Sequence, residues 1–240
     1  MRSTLTALAT VLLALPAAAQ DFSEEEIKQL ALQAILENPE IVMEAVSILQ
    51  ERQAAEEQAN AEATLSSSRD ALVNDPNAPV LGNPEGDVTV VEFFDYNCPY
   101  CRRAGDEVKA LLDADDGVRV VYREWPILGD GSVVAARAAL ASRKQGLYAE
   151  MHEGLMAARA RLDEGSVMEI AADVGLDIER LKADMEAPDV QQHIDTSLEL
   201  ARALGFSGTP SFVIGEELVP GLVDAARMQE MVDAARDGDG

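Results

Sequence analysis

The sequence predicts an α/β domain preceded by an α-helical arm. Three observations predict it. A long N-terminal stretch carries apolar residues at helical spacing, two short apolar runs at 88–94 and 118–123 read as strands, and several helical pieces lie between and after them. The chain has 240 residues, 48% of them hydrophobic, which suits one moderate domain with an appendage. With 19 basic and 44 acidic residues the net charge is −25, which repels phosphate backbones and argues against a nucleic-acid partner. Two Cys and two His make a four-ligand zinc site hard to build, since His152 and His193 lie on separate helical segments, and neither a metal nor a cofactor is expected.

Residues 1–20 read as a secretory signal. Met1-Arg2 supplies a charge, Leu5 to Leu15 an apolar run, Pro16 its end, and Ala17-Ala18-Ala19 the small residues before cleavage. The run is too short to span a bilayer, and no later segment is apolar enough to do so. The mature chain is therefore expected to be exported, with no membrane span, into an oxidising compartment where a cysteine pair can matter as a disulfide.

Residues 21–74 read as a helical segment and arm. Ser23 with Glu26 forms a capping box, and Ile27, Leu30, Ala31, Ala34 and Ile35 recur at helical spacing. Asn38-Pro39 is expected to restart the helix, Asn38 as its N-cap. Val42, Ala45 and Leu49 continue the stripe, which then thins to Ala55, Ala59 and Ala63. Short apolar helices are not stable alone, so self-association is expected, with a helix lying along the main domain as the alternative. Asn74 to Gly86, rich in Pro and Gly, marks the boundary of a domain at 75–240.

Within that domain, Val88 to Phe94 is apolar on both faces and reads as a central strand, Cys98 to about Ala114 as a helix, and Val118 to Arg123 as a second strand. Residues 132–204 are helical in pieces, Ser211 to Ile214 and Glu217 to Val219 are short strands, and Asp224 to Ala235 closes the chain as a helix. Trp125-Pro126 reads as packing and turn, Met151 and Leu155 as core, and His152 and His193 as surface helix residues.

The chemistry points to Cys98-Pro99-Tyr100-Cys101 at the strand–turn–helix junction. The i, i+3 spacing puts both sulfurs on one side of the first helical turn. Cys98 sits where unpaired N–H groups and the positive end of the helix dipole favour a thiolate, and Pro99 fits a position whose N–H is not needed. Cys98 is then the attacking sulfur and Cys101, one turn in, the resolving one. Half a zinc site and a purely structural disulfide are the alternatives; a three-residue spacing closes too small a loop to stabilise much. Glu92 shares a strand face with Val88, Val90 and Phe94, an expensive place for a carboxylate without a task, so it is a candidate proton acceptor for Cys101. A solvated sheet end is its alternative explanation. Thr209-Pro210 precedes a strand, and a cis bond there would expose the Thr209 backbone beside the sulfurs for an extended substrate segment.

FFDYNCPYC followed far downstream by SGTPSFVIG resembles the thioredoxin superfamily, and specifically its DsbA-like branch. The resemblance implies a thioredoxin-like fold with an inserted helical domain at about 126–190. It also implies Cys98 as nucleophile, Cys101 as resolving cysteine, a cis Pro210, Glu92 as buried acid, and Thr209 as a residue that tunes redox poise. The segment FSEEEIKQLALQAILENPEIVMEAVSILQ is similar to the ScsC-like subgroup, whose members carry a helical oligomerisation segment; trimeric members act as disulfide isomerases, and founding members are linked to copper tolerance. Tyr100 departs from DsbA, which has His there. Tyrosine cannot carry a positive charge beside a thiolate, so a milder oxidant or an isomerase is expected.

The function so implied is a periplasmic thiol–disulfide oxidoreductase, a mild oxidase or disulfide isomerase. Its expected partners are cysteine-containing exported proteins, a membrane redox partner that recycles the cysteine pair, and further copies of itself. The alternative is a copper-tolerance protein, Cu(I)-binding or chaperone-like, that uses the same two thiols.

Overall fold

The computed structural model describes residues 23–238, so the expected signal segment 1–20 lies outside the described residues. The chain divides into one unit running to Ala54 and one from Ala55 onward. In the first, helix α1 (Glu24–Glu37) opens on the expected capping box: Ser23 Oγ accepts the Glu26 N–H at 3.3 Å, and the Glu26 carboxylate accepts the Ser23 N–H at 2.9 Å. Asn38 does not cap the helix that follows. It is the C-cap of α1, and its side-chain amide donates to Ala34 O at 3.1 Å, because the carbonyls ending α1 lie within reach of that donor. Helix α2 (Glu40–Val73) follows, and its residues up to Ala54 are all exposed. Among the described residues of this unit, the apolar side chains face solvent, Leu36 at 72% and Met43 at 69% exposure.

The division falls about twenty residues before the boundary the Pro/Gly-rich linker suggested. Leu65 and Leu72, two turns apart on α2, pack into the core of the second unit with Val91, Phe93, Val121 and Leu204. Each buried leucine is worth roughly 1.5–3 kcal/mol, enough to commit this part of α2 to the domain. The side chain of Arg123, wholly buried, bonds Asp75 at 2.6 Å and the carbonyls of Ala71 and Leu72, so a cation closes the negative end of the helix.

The second unit is built on a mixed five-stranded sheet of order β1-β3-β2-β4-β5. The strands are β1 (Val80–Gly82), β2 (Val88–Phe94), β3 (Val118–Glu124), β4 (Ser211–Ile214) and β5 (Glu217–Pro220). Strands β2 and β3 run parallel, joined by α3 (Pro99–Ala114), while β1, β4 and β5 pair antiparallel with their neighbours. The period of two sorts β2 onto two faces. Val88, Val90 and Phe94 join a core with α3 and α9 (Ala225–Gly238), while Val91 and Phe93 join the core that holds Leu65 and Leu72.

Between β3 and β4 the chain forms α4 (Asp130–Ser142), a short 3-10 turn, α5 (Tyr148–Met156), α6 (Glu164–Asp173), α7 (Ile178–Met185) and α8 (Pro188–Ala203). This is a thioredoxin-like fold with a helical insertion. His152 and His193 are not surface residues: they are 5% and 1% exposed, on the stripes Tyr148-Met151-His152-Leu155 and Val190-His193-Ile194-Ser197 that face the interior. His152 sits among Phe94, Tyr96, Tyr122 and Tyr148, its Nδ1 3.0 Å from the Tyr96 hydroxyl. His193 pairs with Glu124 at 2.7 Å.

Candidate active site

Strand β2 ends at Phe94, and the turn Asp95–Asn97 delivers Cys98 to the N-cap of α3, with Pro99 at the first helical position. Proline is tolerated there because its absent N–H would have had no partner in the helix. No side chain caps α3, so its first amides are left to the sulfur. The face Cys101, Ala104, Val108, Leu111 is buried, which pins the helix and fixes Cys101 below Cys98. Both cysteines are free thiols. Cys101 has no exposure, Cys98 keeps 4%, and Pro99 and Tyr100 are exposed, Tyr100 at 57%.

The two sulfurs differ in acidity. The Cys101 thiol hydrogen-bonds the Cys98 sulfur and, against the cost of burial, the Thr209 side chain and the N–H groups of Cys101 and Tyr100 add to that bond; the Cys98 pKa falls from 9.0 to about 5. Burial pushes the Cys101 thiol far up, and the neighbouring Cys98 and Glu92 reinforce the rise. At neutral pH, Cys98 is a thiolate and Cys101 a thiol.

The peptide bond Thr209-Pro210 is cis. It brings Thr209 O to 3.3 Å from Cys98 Sγ, where it accepts the S–H of the protonated thiol. Pro210 is buried and Thr209 half-buried at the start of β4, which pairs with β2 through Phe93↔Ser211 and Glu92↔Phe212. Glu92 is wholly buried, on the same side of β2 as the cysteine-bearing helix, and neither carboxylate oxygen has a partner. Burial, with a smaller push from the Cys98 charge, raises its pKa from 4.5 to about 8. The solvated sheet end is thus excluded. Cys98, Cys101, Glu92, Thr209 and Pro210, spread over 119 positions of sequence, converge on one junction.

Two polar residues of the turn were not singled out by sequence. Asp95 and Asn97 are 1% and 9% exposed and hydrogen-bonded on every side. Their signal was available in part, since Asp and Asn before a helix favour local side-chain to backbone bonds. Among the described residues, no group of three or more His, Cys, Asp or Glu is arranged to hold a metal ion. No described helix is long and apolar enough to cross a membrane.

The family described as the DSBA-like thioredoxin domain matches residues 89–234. Among solved structures, a thioredoxin-like oxidoreductase from Silicibacter pomeroyi DSS-3 is 63% identical, with a TM-score of 0.70 over 70% of this chain and 98% of that one. ScsC from Proteus mirabilis, in a transitional conformation, is 32% identical, with a TM-score of 0.67 over 92% of this chain and 99% of that one. Among curated proteins, a Na(+)/H(+) antiporter NhaA from Herminiimonas arsenicoxydans is 31% identical over 68% of this chain but only 27% of its own length. The chain thus spans about a quarter of the length of the curated relatives it matches.

Proposed function

The chain belongs to the DsbA-like thioredoxin domain family and is similar to its ScsC-like members, and on that premise we propose that it is a thiol–disulfide oxidoreductase of exported proteins. The observation that carries this reading is the contrast between an acidic Cys98 and a strongly protonated Cys101 one helical turn away. The Cys98 thiolate attacks one sulfur of a substrate disulfide, and the substrate's other sulfur leaves as a thiolate. Glu92 takes the proton of Cys101; the Cys101 thiolate then attacks Cys98 of the mixed disulfide. The substrate leaves reduced and Cys98–Cys101 is oxidised. Run in reverse, the same steps oxidise a substrate dithiol. Attack by another substrate cysteine thiolate on the substrate sulfur of the mixed disulfide, before Cys101 reacts, forms a new substrate disulfide, expels the Cys98 thiolate and so gives isomerisation.

The closeness of Thr209 O to Cys98 Sγ, 3.3 Å, supports pairing of the Thr209 backbone with an extended substrate segment beside Cys98. Tyr100, exposed and uncharged, supports a mild oxidant or an isomerase over a strong oxidant. The periplasm is the expected compartment, with cysteine-containing exported proteins as substrates and a membrane redox partner that recycles the cysteine pair. The exposed apolar side chains before Ala54, Leu30, Leu36 and Met43 among them, support self-association, trimers included, which would present several active sites to one substrate. The reading of the same two thiols as a Cu(I) site remains the rival from another class.

Refolding of scrambled ribonuclease, run beside anaerobic Cu(I) titration of the reduced protein, separates the two. The proposal expects catalysed refolding that Cys98→Ser abolishes. Tight copper binding with no refolding would contradict it. Light scattering tests the assembly: the mature chain should be a multiple of a chain truncated to begin at Ala55, and equal monomer masses would end the self-association reading.

A further inference from the structure

We infer that Asp95 and Asn97 are positioning residues that lock the cysteine turn to the helical insertion, so that the alignment of Cys98 with its hydrogen-bond donors is maintained from the insertion. This inference rests on the exchange reading above. The carboxylate of Asp95 accepts three backbone N–H groups: that of Asn97 at 2.7 Å on one oxygen, and those of Ile127 and Leu128 at 2.8 and 2.9 Å on the other. Its own carbonyl accepts the Cys98 N–H at 3.0 Å. One residue thus fixes the turn that ends at Cys98 and the loop that leaves β3 for the insertion. Bonds to an ionised acceptor are about twice as strong as neutral ones, and a half-satisfied buried carboxylate is costly.

Asn97 makes the second tie. Its Oδ1 accepts the Leu162 N–H at 2.7 Å, and its Nδ2 donates to Leu162 O and Ser132 Oγ, both at 3.3 Å. The amide reads the backbone of Leu162 in both directions, a pairing that neither Asp nor Leu can reproduce. Gly131 lets the segments meet: a Cβ there would collide with Leu162 O and lie 3.2 Å from Asn97 Nδ2. Arg102 adds a third strand of the lock, donating to Tyr96 O at 3.3 Å and Ala160 O at 3.1 Å. The turn therefore holds the insertion at two places, its entry at 127–132 and the α5–α6 loop at 160–162.

The consequence has a sign that separates it from simple electrostatics. Asp95 is a carboxylate three residues before Cys98. On charge alone, its removal should make the Cys98 thiol more acidic. If Asp95 positions the turn, its removal instead lets Cys98 drift from the amides and the Thr209 side chain that favour the thiolate, and the thiol becomes less acidic. Asp95→Asn keeps one acceptor oxygen and turns an NH₂ toward backbone donors, so it should behave as a partial loss.

The test is the pH dependence of Cys98 alkylation, read beside exchange activity and circular dichroism, in Asp95→Ala, Asp95→Asn and Asn97→Ala of the reduced full chain. The thiol pKa should rise by about one unit in Asp95→Ala, a roughly tenfold loss of thiolate at pH below the original value, and by less in the other two. Exchange should fall in the same order with the circular dichroism unchanged. If Asp95→Ala does not fold, the neutral Asn97→Ala carries the same prediction. A lower or unaltered Cys98 pKa in the folded variants would overturn the lock. Absence of exchange in the unmodified protein would instead overturn the exchange reading, while the alkylation result would still judge the lock.

Discussion

Glu92 on β2 and Glu124 on β3 share one face of the sheet, both almost without solvent, yet they have opposite surroundings. The Tyr148 hydroxyl donates to one oxygen of Glu124 at 2.7 Å, and His193 Nε2 lies 2.7 Å from the other. Glu92, one strand away and level with Tyr122, has no partner on either oxygen and lies near the two sulfurs. A partnered buried carboxylate is fixed as part of the structure. An unpartnered one is raised in pKa until it can take up and release a proton near neutral pH. The contrast separates a buried carboxylate held by partners from one left without them beside a nucleophile, which is the setting the proposed proton acceptor requires.

That contrast can be broken by substitution. Glu124→Ala should be the most damaging change, destabilising the reduced protein by about 3–5 kcal/mol in urea unfolding, because it strands the buried Tyr148 and His193 groups. A cost below ~1 kcal/mol would mean that the Glu124 network is not structural.

Glu92→Gln should act in the opposite direction. The Glu92 carboxyl titrates at about 8 in the fold against 4.5 ordinarily, so the fold favours the protonated form. Its contribution is fully present below pH 4.5 and is lost as the pH rises through about 8. Relative to the unmodified protein, the Gln variant should therefore gain stability steadily between those two values, on the order of a few kcal/mol at the upper end, and be level below the lower one. A stability difference that is flat across this window would show that Glu92 does not titrate there. The same variant should slow release of substrate from the mixed disulfide by about tenfold or more, since Cys101 loses its proton acceptor.

Much of this site was legible in the sequence because its parts are local. The strand–CxxC–helix order placed Cys98 at a helix start, period-two alternation put Glu92 among apolar residues, and SGTPSF marked the proline strand. What was missed depends on contacts between distant segments. Asp95 finds the amides of Ile127 and Leu128, and Asn97 finds Leu162, 65 positions away; no periodicity encodes such pairs. The burial of His152 and His193 was readable, since each lies on its helix's apolar stripe, but polarity outweighed spacing in the reading. Asn38 could cap either of two helices, and only the three-dimensional path of the turn decides for α1. Leu65 and Leu72 are isolated leucines in the Ser-rich stretch that follows the Ala/Glu-rich run, too sparse to show that α2 enters the core.

The smallest expected effect concerns charge added to the site. Tyr100→His should lower the Cys98 pKa further by about half a unit to one unit where the imidazole is protonated, and make the couple more oxidising against glutathione. An unchanged potential would show that position 100 does not govern the poise.

The central claim, that Cys98 is a thiolate at neutral pH while Cys101 is not, is tested most directly by titrating thiolate absorbance in the reduced protein. One sulfur should ionise with a midpoint of about 5, absent in Cys98→Ser, and no second sulfur should ionise before the protein unfolds in alkali. A midpoint at ~8.5, the value of an ordinary free cysteine, would contradict the account.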